Sequence, residues 1–503
     1  MDTLTLIRHH ARALELDPVL LDGLRVTGPA TVLPSPFRVT ALATASVAAA
    51  NLGVAAVLRA AAAPGTATAP PAVVVDSTQA CAAFLAEALF RPDGWEVPSP
   101  WDELSGVYRS RDGWIRLHTN YATHRAAALA ALGLPAGSTR EAAAARVLTR
   151  DAGELEATVL RAGGAAAQLH GRAAWLAHPA GLAAVHEPAV RIRPGRVPLR
   201  WSPMPGGRPL QGLRVLDLTR VIAGPLATRF LAAHGAEVLR IDPPGFEEVP
   251  ALLPITTQGK RRAFLDLATT TGKERFLDLV AGADVLVHGL RPGALESLGL
   301  SAEVLRTAAP WLVTAGLDAY GWQGPWAGRR GFDSLVQMSC GIADDGARAS
   351  EPPPGRRLAG SAGAGPAGEP PVAAALPQEP APGASGPPRP LPAQALDHST
   401  GHHLAAGILS LLASGRAGTV TASLVGAANL LYSLGPAPED QRQAGGEVTE
   451  AGAMEESLGA FRRPVSTFWG PAGAIPVPGS VDGTEPAFTV EAGPLGVHRA
   501  AWS

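Results

Sequence analysis

Between residues 210 and 343, short apolar runs alternate with segments whose apolar positions recur at helical spacing. Leu213–Leu218 reads as a strand, Ala223–His234 as a helix and Glu237–Ile241 as a second strand. Arg262–Leu267 predicts a third strand, Lys273–Val280 a helix, and Val285–His288 and Trp311–Ala315 two further strands. Strands and helices in this alternation predict βαβ units and an α/β fold with a Rossmann-like, doubly wound parallel sheet.

The rest of the chain has a different texture. Residues 1–200 are Ala-rich with helical patterning, interrupted at Val107–Asn120. There two alternating runs flank Asp112-Gly113, a strong hairpin turn signal, so a helical and small α+β portion is expected beside the sheet. Residues 201–209 read as a linker, as does the whole Pro- and Gly-bearing stretch Arg193–Arg208. Residues 344–392 are dense in Pro, Gly and Ala without periodicity and predict a disordered insert. Residues 393–434 contain the apolar helix Leu404–Ala413, and 435–503 predict a poorly ordered region with little core. One echo cuts across these segments. Ala43–Leu58 and Asp397–Leu412 are apolar helices with a glycine at matching positions (Gly53, Gly407), each followed by a β-like run at Val73–Val75 and Thr419–Thr421. Ala-rich helices resemble one another by chance, so pattern alone leaves a repeat open.

Charge narrows the function class. Forty-two basic and 44 acidic residues leave a net charge of -2, without the basic excess of a nucleic-acid binder. Cys81 and Cys340 are the only cysteines, which excludes a disulfide scaffold and a multi-cysteine zinc site. Met1–Leu16 lacks the basic and apolar regions of a signal peptide. Leu42–Ala63 is membrane-like in length, but mostly Ala and interrupted by Asn51 and Arg59, so it predicts a buried helix, with no membrane partner. The expected compartment is the cytoplasm.

Two spots carry candidate chemistry. Thr219–Thr228 is a strand–helix junction with Gly224-Pro225 at the helix mouth, a place where a ligand's anionic group can approach backbone N–H groups. A dinucleotide site would put Asp242 on a ribose, yet the G-x-G-x-x-G pattern is missing. Asp397 stands at the start of an apolar helix, where a carboxylate is either an N-terminal cap or a group oriented by the helix dipole. His398 and His402, four apart and next to His403, have a spacing that can bind zinc, but no H-E-x-x-H or cysteine supports them, and no metal is expected.

Four blocks in order resemble class III CoA-transferases: Leu216–Pro225 with Leu231–Asp242, Gly259–Leu267, Asp284–Leu300, and Gly321–Asp333. Ala395–Leu412 is similar to the motif that bears the family's covalent nucleophile, which implies that role for Asp397. The resemblance also implies coenzyme A or an acyl-CoA as substrate. It places Val221, Ile222, Ala223 and Gly224 along the pantetheine and phosphates, Leu265, Gly289, Leu290 and Leu298 around the adenine, and Arg291 on a phosphate.

The implied activity is transfer of CoA from an acyl-CoA thioester to a carboxylic acid through an aspartyl intermediate. Two alternatives stand beside it. One is an acyl-CoA racemase or isomerase, although Phe332 occupies the place of the racemases' acid/base His. The other is a non-catalytic CoA-binding protein, since nothing after residue 440 resembles the family's late glycine-rich loop. Residues 1–200 resemble the second half of such an enzyme, through Gly106–Trp114, with Ala43 where Asp397 would stand. Family members are interlocked homodimers, so the resemblance implies a homodimer or an intrachain pseudo-dimer.

Overall fold

A computed structural model describes residues 1–62, 69–349, 386–439 and 448–503, without the side chains of 448–453. Its centre is a seven-stranded sheet. The strands, in chain order, are β1 (Val190–Pro198), β2 (Arg214–Leu218), β3 (Glu237–Asp242), β4 (Lys260–Phe264), β5 (Val285–His288), β6 (Val313–Asp318) and β7 (Arg416–Ser423). Their spatial order is β4-β3-β2-β5-β6-β7-β1. All neighbours pair in parallel except β7 and β1.

Leucines and valines of β2 and β5 are buried on both faces, which is why these strands read as continuous apolar runs. The strand order reverses between β2 and β5, whose ends Leu218 and His288 are adjacent. Such a reversal opens a crevice beyond the carboxyl ends of the strands, and α/β proteins bind ligands there.

Four helices pack around this crevice and the core beside it: α1 (Val39–Ala60), α2 (Ala223–Ala233), α3 (Asp333–Cys340) and α4 (Ala395–Ser414). Helix α1 is long and apolar enough to cross a membrane, yet nearly all of it is buried inside the chain. Its partner is α4, also buried on nearly every face. The two approach closely because Gly53 has no side chain; a Cβ there would lie 2.8 Å from Leu409 Cβ. Ser46 and Ser399 hydrogen-bond across the seam at 3.0 Å. One hydrophobic cluster therefore runs from Leu6 and Ile7 through α1, α2 and α4 to Ile475 and Val481. The hairpin region has a smaller core of its own, built on Tyr108, Ile115, Leu129, Leu155 and Val159.

Three expectations need correction. The stretch read as a linker from Arg193 onward is, up to Pro198, the antiparallel edge strand β1, which joins the N-terminal region to the sheet. Pro194 and Gly195 are tolerated because an edge strand leaves one row of backbone groups unpaired. Residues 435–503 are not coreless where described. Arg463–Thr467 and Gly470–Ala474 form a hairpin joined by Arg91–Pro92, and Ser480–Val481 pairs with Val73–Val74. Ile475, Val477 and Ala492 are buried. The expected insert at 344–392 has packed ends: Ile342–Arg348 is helical, and the Leu391 N–H donates to Gln337 Oε1 at 2.8 Å. Its interior, 350–385, lies outside the described residues.

Candidate functional site

The loop after β2 is held from below by a buried ion pair. Lys260 Nζ donates to Asp217 Oδ2 at 2.9 Å and to the Pro225 carbonyl at 2.8 Å. The Thr219 N–H donates to the other Asp217 oxygen at 2.8 Å, and Thr228 Oγ1 closes the shell at 2.6 Å. Burial penalises the Asp217 charge, but Lys260, Arg240 and these hydroxyls outweigh it and hold the carboxyl below its ordinary range. Directly above, Val221 adopts a φ of +65°, a conformation that costs a β-branched residue energy. Glu248 anchors it, accepting the Val221 N–H at 3.0 Å, Arg240 at 3.0 Å and the Tyr121 hydroxyl at 2.8 Å. Tyr121 comes from the N-terminal region, so this region shapes the loop.

One glycine tightens that loop against β6, and a second brings α4 against it. A Cβ on Gly224 would sit 2.4 Å from the Thr219 side chain and 2.7 Å from Leu317. A Cβ on Gly401 would meet the Ala223 carbonyl oxygen at 2.5 Å. With Gly401 bare, α4 packs directly on Ala223, and its first turn borders the same cavities as Val221.

Asp397 is in that first turn, and the structure removes one of the two roles its position in the sequence allows: it is not the helix cap. The N-cap position is Gln394, which makes no capping bond. The capping is done by Asp333, the first residue of α3, whose Oδ2 accepts the N–H groups of Leu396 at 2.8 Å and Asp397 at 3.0 Å. Gln337 donates to the other Asp333 oxygen. The Asp397 carboxylate itself has no hydrogen-bond or ion-pair partner among the described residues. Burial, then Asp333 and Glu87, push its carboxyl well above the ordinary value. Burial likewise raises Asp333 to about 6. Glu87 is different: burial pushes it up, but His398 Nε2 at 3.1 Å wins and leaves it below the usual range.

Two cavities meet at Asp397. The larger, about 1130 Å³, lies in the crevice between β2 and β5 and beyond β6. Of the residues singled out by sequence, Val221, Ala223, Gly289, Leu290, Arg291 and Asp397 line it, and Arg220 and Arg330 add positive charge. The second, about 620 Å³, is walled by Phe84, Trp101, Ile222, Leu252, Phe332 and Leu391, among others. Val221 and Asp397 border both. Gly224, Leu265 and Leu298 border neither; Gly224 acts through close packing, and Leu265 and Leu298 lean on the core beneath β2–β5. Phe332 stands between the cavities, its ring stacked on His118 at 3.6 Å, and burial lowers His118 to about 3.

Sequence reasoning missed Asp333, Glu87, Arg116 and Tyr121 as site residues. Asp333 ends one of the four blocks, a signal that could have found it. The other three belong to the N-terminal region and meet the site only through tertiary packing.

The other candidates have separate engagements. Asp242 pairs with Arg240 at 2.8 Å. His402 Nδ1 contacts the His398 carbonyl, and His403 contacts the Ser399 carbonyl and His10. Among the described residues, no three His, Cys, Asp or Glu side chains converge as metal ligands. Asp397 instead presents a carboxyl group that no described side chain pairs, between a polar cleft and an apolar one.

Comparison with known proteins bears on this geometry. Residues 210–363 match the family model of CoA-transferase family III. A probable fatty acyl-CoA transferase of Mycobacterium tuberculosis, Rv3272, is 39% identical over 148 residues, 27% of this chain and 38% of that protein. A probable CoA-transferase of the same organism, Rv1866, is 35% identical over 182 residues, 34% of this chain and 23% of that protein. The acetyl-CoA:oxalate CoA-transferase of Acetobacter aceti is 33% identical over 145 residues, 27% of this chain and 37% of that protein. The chain thus matches well under half the length of these relatives. The orthorhombic crystal structure of Rv3272 is 30% identical, covering 45% of this chain and 58% of that one, with a TM-score of 0.36. The strands β2–β6, the loops at 220–223 and 289–291 on the larger cavity and the cap on Asp397 all lie in the segment, residues 210–363, that matches the model of CoA-transferase family III.

Proposed function

We propose that this chain moves CoA from an acyl-CoA thioester to a carboxylic acid, with Asp397 as the nucleophile. The observation that carries the reading is the unpartnered Asp397 carboxylate at the meeting point of two cavities. The larger cavity has the volume and the Arg220, Arg291 and Arg330 side chains to receive a phosphorylated, extended ligand, with its thioester end at Asp397.

Each step conserves charge and atoms. An Asp397 oxygen attacks the thioester carbonyl carbon; the C–S bond breaks, CoA thiolate leaves and an acyl–aspartyl anhydride forms. The thiolate attacks the Asp397 carbonyl carbon, releases the first acid as its carboxylate and leaves an aspartyl-CoA thioester. The acceptor carboxylate attacks that thioester, freeing the thiolate and forming a second anhydride. Attack of the thiolate on the acceptor's acyl carbon gives the new thioester and regenerates Asp397. Dividing one hard displacement into several easier ones is the gain of covalent catalysis. The residues around Asp397 contribute by position: Asp333 fixes the helix start, and Gly401 sets its distance from Val221–Ala223.

The test is a panel of acyl-CoA donors and carboxylic acid acceptors, read as formation of the acceptor's thioester. The reading requires transfer with at least one pair and its loss in Asp397→Ala; transfer that persists in Asp397→Ala contradicts it. Exchange of the substrate's α-proton with solvent, without CoA transfer, would favour the isomerase alternative. CoA binding without turnover of any pair would favour the binding-protein alternative.

A further inference from the structure

The second cavity contains two charged groups without partners. Its other charged side chains are engaged: Glu87 with His398, Arg91 with Glu455, and Asp333 with two N–H groups and Gln337. The Asp397 carboxylate is one exception. The other is Arg116, on the second strand of the hairpin, Trp114–Leu117. Its guanidinium makes no hydrogen bond or ion pair among the described residues, and its Nε is buried without a partner. It lies over the Trp101 ring, 5.2 Å from the centroid. A guanidinium that faces a cleft with no hydrogen-bonded anion, feeling only the more distant Asp333, is a costly arrangement that an incoming anion relieves. Around it the walls are apolar, including Phe84, Val97, Ile222, Val249 and Leu252.

We infer that this cavity seats a carboxylic acid with an apolar body, its carboxylate paired with Arg116. The planar fork of a guanidinium matches a carboxylate in two parallel hydrogen bonds, and stacking on Trp101 keeps the fork oriented. The carboxylate has two sources: the reacting group of the acceptor acid, or the far carboxylate of a dicarboxylic acyl group. The inference deepens the proposed CoA transfer, naming its substrate class, but acid binding can be measured without turnover.

Calorimetric titration of the full chain with hexanoate and with hexanamide reads the first source. Expected is a preference for hexanoate that falls on the order of tenfold or more in Arg116→Met, while hexanamide is unaffected. The second source is read by comparing adipoyl-CoA with hexanoyl-CoA as ligands. Tighter adipoyl-CoA binding that disappears in Arg116→Met assigns Arg116 to the far carboxylate. Arg116→Lys, which keeps the charge and loses the fork, is the second variant should the Met variant fail to fold, and weakened acid binding is expected there too. Leu252→Trp, which fills the apolar wall, should weaken hexanoate and hexanamide alike. The inference is overturned if neither pair is discriminated by the wild-type chain, or if the discrimination survives loss of the Arg116 fork. Arg116-dependent hexanoate binding in a chain that transfers no CoA would sink the transfer reading alone.

Discussion

Replacing Asp397 by Asn separates a nucleophile from a structural carboxylate, because the two roles move stability in opposite directions. A capping carboxylate stabilises a helix, and its loss costs about 0.5–2 kcal/mol. Asp397 caps nothing; it faces Asp333 and Glu87 from a buried position, and its carboxyl is pushed well above the ordinary 3.8. Since its pKa is higher in the folded chain than in the unfolded one, the folded chain holds the proton longer. Stability then falls as pH rises from the unfolded pKa to the folded one, and the loss persists above. Each unit of elevation corresponds to about 1.4 kcal/mol. Asn keeps the shape and removes the charge, so Asp397→Asn should unfold at a higher temperature than wild type at pH 7 to 8, and the gain should vanish near pH 4. Transfer should fall by about 10⁴-fold or more, the scale on which loss of a covalent nucleophile registers. Thermal melts at several pH values and an acyl-transfer assay on the same preparation check both. A variant that is less stable than wild type at neutral pH, or one that still turns over, would refute the reasoning.

Other perturbations test the supporting structure. Glu87→Gln removes a like charge beside Asp397 while leaving an acceptor for His398, so the acid limb of the kcat/KM profile should move to lower pH; an unmoved limb argues against coupling. Gly401→Ala places a methyl group 2.5 Å from the Ala223 oxygen, and should cost about 1–3 kcal/mol by chemical denaturation together with most of the activity. Lys260→Met leaves Asp217 buried without its cation and should destabilise the chain by about 3–5 kcal/mol, read from the shift in urea midpoint. Residues 1–205 expressed alone should lack a cooperative transition and regain structure on mixing with 206–503, because α1 is buried against α4 and Val73–Val74 pairs with Ser480–Val481.

The parts legible in the sequence are those fixed by local pattern. Val285–His288 is the strand expected, and the Asp112-Gly113 turn joins two strands at 106–109 and 114–117 as its flanking alternation implies. Lys260–Phe264 begins two residues earlier and ends three residues earlier than the strand expected at Arg262–Leu267, and its first residue, Lys260, is buried on Asp217. What local pattern hides is non-local pairing. β1 reads as a linker because edge strands accept Pro194 and Pro198, and the C-terminal hairpin reads as coreless because Gly470, Pro471 and Gly473 give little apolar signal. The site divides the same way. Asp397 and the loops at 221–223 and 289–291 were recognisable in sequence motifs, whereas Arg116, Glu87 and Tyr121 reach the cavities from a different region of the chain.

The central claim is that Asp397 becomes covalently attached to the substrate. Incubating the full chain with an acyl-CoA donor in the absence of acceptor, quenching in acid and mapping peptides by mass spectrometry tests it most directly. The account predicts an acyl or CoA adduct on the peptide containing Asp397, absent from Asp397→Asn and released by hydroxylamine. Turnover with no adduct at Asp397, or with the adduct on another residue, would contradict it.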